Sequence, residues 1–346
     1  MFTPAAYEYA VAAPPPSNYS APNYVSNLLD TTCSTDNVIR GMALDGTMTE
    51  YWKERDYPSM AGNIKAAVFH AHGTLDENVK MDHFGAMWDA LEAHNVRRKA
   101  LIGPWEHAEP DVPFWHLIAM RWFEHWLNDN DTGMMREPPI TVIDQEDQTR
   151  SAETWPPARR KLVLEAGSEA LARAVEDGSA TYQDVPQLPR QLLRAATGAR
   201  LLYTSEPVKE PLRVSGAPVF EVVAAINSSD ANFVVHLYDV DEAGSAVYVT
   251  RGYLDAQHRA GLAEAENVAP GKDFRYRVPL HDRDYVFAAG HSIQILVASS
   301  DSCVWLIGGP LSNCRSSGVV SDITAPAVTV KEGPGLTRLI LPLADL

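Results

Sequence analysis

An α/β fold in the first part of the chain and an all-β fold in the second are predicted by three features of the sequence. Between residues 64 and 107 a short apolar run (Ile64 to Phe69), a segment with helical spacing (Lys80 to His94) and a second apolar run (Lys99 to Ile102) follow one another. From about Arg160 onward helical periodicity almost disappears, and short runs of period two alternate with turn residues. The 346 residues, 45% hydrophobic and 21% charged, supply enough apolar material for two cores.

Residues 1–60 start irregular. Met1 to Tyr24 is rich in Ala, Pro, Tyr and Ser, with neither a basic start nor a continuous apolar core, so it does not read as a signal peptide. Such a start fits equally the tail of something longer. Val38 to Met42 and Met48 to Arg55 then predict two short helices, with Trp52 on an apolar face. Residues 61–135 are the α/β unit, whose first helix presents Met81, Phe84, Met87, Trp88 and Leu91 on one side. It closes with a helix from Pro113 to Asn128. There Trp115, Ile118, Ala119, Trp122, Phe123 and Trp126 form one wide face expected to pack against a sheet.

Residues 136–159 read as a linker, broken by Pro138-Pro139 and Pro156-Pro157, although Ile140 to Ile143 fits one strand. Residues 160–346 then predict strands at Lys161–Leu164, Arg200–Thr204, Leu212–Val214, Val219–Ile226, Phe233–Val240, Ala246–Tyr253, Asp273–Val278, Ser292–Ala298 and Thr337–Leu341. Many short strands at this spacing indicate an antiparallel sandwich or jelly roll.

A net charge of −16 argues against nucleic acid and against an anionic membrane surface as partners. No apolar stretch approaches a membrane span. Cys33, Cys303 and Cys314 fit no zinc pattern and no disulfide framework; a single Cys303–Cys314 bridge and reduced thiols both stay open. The compartment is not fixed: cytoplasmic is the default, and secretion would require a longer native chain.

The chemistry sits in two loops, each just past a predicted strand. One is His72-Gly73-Thr74-Leu75-Asp76-Glu77-Asn78-Val79 and the other Gly103-Pro104-Trp105-Glu106-His107. Loops at the carboxyl ends of parallel strands are where an open sheet places chemistry. An acid followed by a histidine is the second half of a Ser…Asp…His order. Asp76 alone reads equally as a helix N-cap or an Asx turn. Trp105 is expected either to wall a substrate pocket or simply to pack. His70, His72 and His83 lie close together, yet no carboxylate or cysteine completes a metal shell. Asp230, Asp239 and Asp241 read as solvated turn residues rather than a calcium site. No Gly-x-Ser-x-Gly occurs in the chain, and Ser292, in Gly290-His291-Ser292-Ile293-Gln294, lies within a predicted strand.

In this order the motifs resemble the C-terminal portion of the Xaa-Pro dipeptidyl-peptidase and cocaine-esterase-like serine hydrolases. Besides the two loops, Trp52-Lys53-Glu54-Arg55 is similar to the end of the family's cap helices. Gly216-Ala217-Pro218-Val219 through Val235-His236-Leu237-Tyr238-Asp239-Val240, and Gly290-His291-Ser292-Ile293-Gln294-Ile295 through Ser299-Ser300-Asp301, are similar to strands of its last domain. The resemblance implies the C-terminal part of an α/β-hydrolase domain with cap helices, followed by a jelly-roll β-sandwich. It implies Asp76 and His107 as the triad acid and base, with no cofactor and no metal. Substrates would be Xaa-Pro peptides or small esters and amides. The family's nucleophile elbow and first sheet strands have no counterpart here. Activity is therefore expected to need a missing N-terminal half, as a partner fragment or within a longer native chain; otherwise the chain acts as a non-catalytic binding or assembly module. The unpaired edge of a sheet without its early strands is expected to make the isolated chain a homo-oligomer or poorly soluble.

Overall fold

The computed structural model describes residues 47–76, 79–107, 109–186, 188–301 and 325–346. The expected 38–42 helix, the N-terminal tail and all three cysteines lie outside these residues. Met48 to Arg55 gives a single-turn helix α1 (Glu50–Lys53), followed by a 3-10 segment over Tyr57–Asn63. Trp52 is half-buried edge-on against Tyr51, with ring centroids 4.9 Å apart.

The first sheet contains β1 (Val68–Gly73), β2 (Arg98–Gly103), β3 (Ile140–Ile143) and β4 (Thr149–Ala152), in that spatial order. β1, β2 and β3 run parallel, and β4 returns antiparallel. Helix α2 (Met81–Ala93) joins β1 to β2. It buries Met81, Phe84 and Trp88 against Ala100, Ile102, Ile140, Val142 and Trp155. At ~1.5–3 kcal/mol for each large side chain removed from water, this layer is what fixes α2 on the sheet.

Three expectations shift here. The first strand does not begin at Ile64: it starts at Val68 and runs through the histidines to Gly73. Pairing decides this, because its six residues match Arg98–Gly103 one for one. Ile64 instead packs with Ala61, Leu91 and Val96. The stretch expected to link the two units carries not one strand but two, β3 and β4, both hydrogen-bonded into the first sheet. Third, helix α3 (Trp115–Leu127) does not bury its whole aromatic face. Trp122 is buried, but Phe123 is 56% exposed and Trp126 37%, beside exposed Leu117 and Met120. Trp115, Ile118 and Trp122 meet the sheet side, and nothing among the described residues covers the exposed remainder.

The second body begins with β5 (Arg160–Gly167), β6 (Ala170–Ala172), β7 (Gly178–Gln183), β8 (Leu201–Ser205), β9 (Leu212–Gly216) and β10 (Val219–Ile226). β11 (Asn232–Val240), β12 (Ala246–Asp255), β13 (Asp273–Pro279), β14 (Arg283–Phe287), β15 (Ser292–Ala298), β16 (Ala327–Glu332) and β17 (Arg338–Ala344) complete it. Pairing is antiparallel except between β6 and β8. Along β10, Val222, Ala224 and Ile226 are buried while residues 221, 223 and 225 are half-exposed, the period of two that a one-sided core demands. The core they enter holds Phe220, Phe233, Tyr276, Phe287, Val328 and Leu339.

Five strands escaped the sequence reading: β4, β6, β7, β14 and β16. β14 shows why. It reads Arg-Asp-Tyr-Val-Phe, with no alternation, and all five residues are buried. Its charge is taken up by partners distant in sequence: Arg213 donates twice to Asp284, at 3.1 and 2.8 Å, and Ser215 donates at 2.5 Å. Asp239 likewise is no solvated turn residue. It is buried on β11, accepting from Tyr285 Oη at 3.0 Å and from His291 Nδ1 at 2.9 Å. Asp241 does sit in a turn, its Oδ1 accepting from the amides of Ala243 and Ser245.

Candidate active site

The carboxyl ends of β1 and β2 lie side by side, since Gly73 is the register partner of Gly103. The two loops that leave them are laced together by backbone bonds. Thr74 N donates to Gly103 O at 2.7 Å and Leu75 N to Trp105 O at 3.0 Å across the two loops, while Asp76 N turns back to Gly73 O at 3.2 Å within the first. Both glycines are required by this approach. A Cβ on Gly103 would stand 2.0 Å from the Trp105 ring, and one on Gly73 would meet the Trp105 backbone.

This lacing brings Asp76 and His107 together across 31 positions of sequence. His107 Nδ1 donates to Asp76 Oδ2 at 2.9 Å. The second carboxylate oxygen, Oδ1, accepts from Val79 N at 2.9 Å, so one side chain holds its own loop backbone three residues on and the imidazole together. Asp76 is held by both interactions, with its side chain only 7% exposed, while the His107 side chain is 61% exposed. An imidazole bonded through Nδ1 keeps Nε2 available to take and return a proton. Among the described residues no serine, threonine or cysteine bonds to His107.

Trp105 is buried, packing with Leu101 and Ile143 and with half-buried Phe69, Trp115 and Ile118. Its backbone and ring form the wedge between the two loops. His70 and His72 are packing residues of the same region. His70 meets the Phe84 ring edge-on at 4.8 Å, and His72 Nε2 donates to Val79 O at 2.9 Å. Burial holds the His70 imidazole down to about 4 and also lowers His72, so both are neutral at physiological pH. Among the described residues no group of three or more His, Cys, Asp or Glu side chains is arranged to hold a metal. No helix of the described residues is long and apolar enough to cross a membrane.

A small cleft backs onto the acid loop, lined by Thr74, Leu75, Asp76 and Met81 on one side. Tyr248, Val249, Thr250, His281 and Asp282 of the sandwich line the other. Those sandwich residues were not anticipated. His281-Asp282-Arg283-Asp284 reads locally as a solvated polar turn; Asp284 finds its partners, Arg213 and Ser215, within the sandwich, while His281, Asp282 and Arg283 bond to Asp82, Trp155 and Thr74.

Comparison with known proteins places these features in context. The family described as X-Pro dipeptidyl-peptidase C-terminal non-catalytic domain matches residues 132–310. The family described as X-Pro dipeptidyl-peptidase (S15 family) matches residues 16–109. A Bacillus anthracis protein named "Putative Xaa-Pro dipeptidyl-peptidase" is 28% identical over 296 residues, covering 82% of this chain and 49% of the relative. A Mycobacterium bovis protein named "Putative serine esterase" is 29% identical over 254 residues, covering 58% of this chain and 40% of the relative. The chain thus spans about half the length of the curated dipeptidyl-peptidase relatives it matches. In fold it is similar to the crystal structure of an aminopeptidase from a marine sediment Thaumarchaeota archaeon. The TM-score is 0.72 at 18% identity, over 92% of this chain and 62% of that one.

Proposed function

Because the chain belongs to the X-Pro dipeptidyl-peptidase and cocaine-esterase-like serine hydrolase family, we propose that it supplies the acid and the base of a Ser-Asp-His triad. The observation that carries this reading is the 2.9 Å bond from the exposed His107 to the buried Asp76. A buried carboxylate fixes the Nδ1–H tautomer and stabilises the imidazolium formed when Nε2 accepts the serine proton. On collapse of the tetrahedral intermediate that proton passes from Nε2 to the leaving amine or alkoxide. The nucleophile comes from polypeptide other than these 346 residues, which contain no Gly-x-Ser-x-Gly. The substrate class we favour is a peptide with an Xaa-Pro amino terminus; the kinship to a serine esterase keeps small esters as the second class.

A chimera tests this. This chain replaces the corresponding half of the Bacillus anthracis relative, and the product is checked for a single cooperative unfolding transition. Hydrolysis of Gly-Pro-p-nitroanilide, reduced about 10³-fold or more by His107→Ala, is the expected result. Turnover confined to p-nitrophenyl esters would move the assignment to an esterase. A folded chimera inert to both substrates and to a fluorophosphonate probe would refute the triad role and favour a binding or assembly module. The chain alone should not be labelled by the probe. A labelled serine, lost in His107→Ala, would place the nucleophile within this sequence.

A further inference from the structure

Three consecutive residues of the sandwich reach across to the acid loop, to the helix that follows it and to Trp155, which packs on that helix. His281 Nδ1 donates to Asp82 Oδ1 at 2.7 Å, in the first turn of α2. Asp282 Oδ2 accepts from Trp155 Nε1 at 3.0 Å, and the Trp155 ring packs on Phe84 of the same helix. Arg283 Nη1 donates to Thr74 Oγ1. Thr74 stands two residues before Asp76 and Asp82 six after it, so one short segment grips the acid loop at both ends.

Arg283 is an expensive way to make such a contact. It is the first residue of β14, paired with Gly216, and only 3% exposed. The neighbouring carboxylate, Asp284, is already occupied by Arg213 and Ser215. Among the described residues the guanidinium has one hydrogen-bond acceptor, the neutral Thr74 hydroxyl, and its buried Nε has none. Burial draws the group down to about 10, which still leaves it charged at neutral pH. A buried cation without a dedicated counter-ion costs the fold more than an apolar side chain of similar length would. Its return therefore has to be sought in what it holds.

We infer that Arg283 is a positioning residue for the Asp76–His107 pair, so that the sandwich takes part in setting the reactive geometry. This rests on the acid–base reading above. By fixing Thr74, Arg283 fixes the turn from which the Asp76 carboxylate reaches Nδ1. His281 holds Asp82 in the first turn of α2, just past the other end of the acid loop.

The test uses the chain itself, with histidines labelled by nitrogen-15, and reads the His107 tautomer from long-range proton–nitrogen correlations. The wild type should show the Nδ1–H form, and Asp76→Asn should release it. Arg283→Met should lower the Nδ1–H to Nε2–H ratio by about threefold or more while leaving thermal stability equal or higher, because a buried charge is removed. Thr74→Val should shift the ratio in the same direction, Thr74→Ser should retain the wild-type ratio, and Arg283→Met with Thr74→Val should add nothing further. If Asp76→Asn shifts the tautomer but neither Arg283→Met nor Thr74→Val does, the positioning role is refuted and the pair stands. If Asp76→Asn leaves the tautomer unmoved, the pair itself fails and the inference falls with it. Should Arg283→Met not fold, the Val and Ser variants of Thr74 decide alone.

Discussion

Gly73 abuts the backbone carbonyl of Trp105 so closely that a Cβ at position 73 would lie 2.1 Å from that oxygen. Gly103 meets the same residue differently, its missing Cβ facing the indole ring. Gly73→Ala should therefore destabilise by about 3 kcal/mol or more, since a backbone atom cannot swing aside. Gly103→Ala should cost a similar amount, but the Trp105→Leu background should recover part of that loss and little of the Gly73→Ala loss. Urea denaturation of the three single and two double variants measures both costs and the coupling. Equal rescue at the two positions would show that the loops are not locked by the Trp105 backbone.

Burial pushes the Asp282 carboxyl up to about 6. In the unfolded chain it titrates near 3.9. Between those values the folded state binds more protons, so stability falls as pH climbs through the window, and the full penalty remains above it. Asp282→Asn keeps an oxygen for the Trp155 donor and removes the ionisation. It should stabilise by about 1–3 kcal/mol near pH 7.5 and change little near pH 4. Denaturant titrations of both proteins at both pH values decide. A loss of stability near neutral pH would show that the carboxylate is well compensated where it lies.

Asp301, His236 and Arg251 form a fully buried set within the sandwich. His236 Nε2 donates to Asp301 Oδ2 at 3.0 Å, its Nδ1 faces Tyr238 Oη at 3.1 Å, and Arg251 pairs with the same carboxylate oxygen. Asp301→Ala should cost about 3–5 kcal/mol, because the buried guanidinium and imidazole both lose this carboxylate oxygen. Adding Arg251→Met should restore part of that loss, and a double-mutant cycle by chemical denaturation reads the difference. Strict additivity would show that Asp301 and Arg251 are not energetically coupled.

Among the described residues β1 pairs on one side only, and α3 exposes Leu117, Met120 and Phe123, each more than half accessible. An open strand edge beside an apolar helix face favours association. The chain should self-associate, and Leu117→Lys with Phe123→Lys should raise the monomer fraction while changing stability by no more than about 0.5 kcal/mol. Light scattering after size-exclusion chromatography reads the outcome, with the sandwich from about residue 160 as a better-behaved reference. A monomeric wild type at every concentration tested would remove the association argument.

Much of the architecture was legible locally. α2 declares itself through Met81, Phe84, Trp88 and Leu91, and β10, β11 and β15 through runs that alternate or stay apolar as burial requires. β14 was not legible, because Arg283 and Asp284 are buried by virtue of Arg213, Ser215 and Thr74, all far away in sequence. The start of β1 was misplaced for a related reason. Its register is set by Arg98–Gly103, about 30 residues on, while Ile64 is drawn away to pack with Ala61, Leu91 and Val96.

The sequence by itself determined the kind of fold, the order of its two bodies and the two loops from which Asp76 and His107 project, because periodicity and short motifs depend on near neighbours. Only the tertiary structure decided how those loops meet. Their 2.9 Å contact depends on glycines yielding to the Trp105 backbone and ring, and on an arginine more than 200 residues downstream bonding to Thr74. Close packing and the desolvation of a charge are properties of the assembled interior, and no local window of sequence contains them.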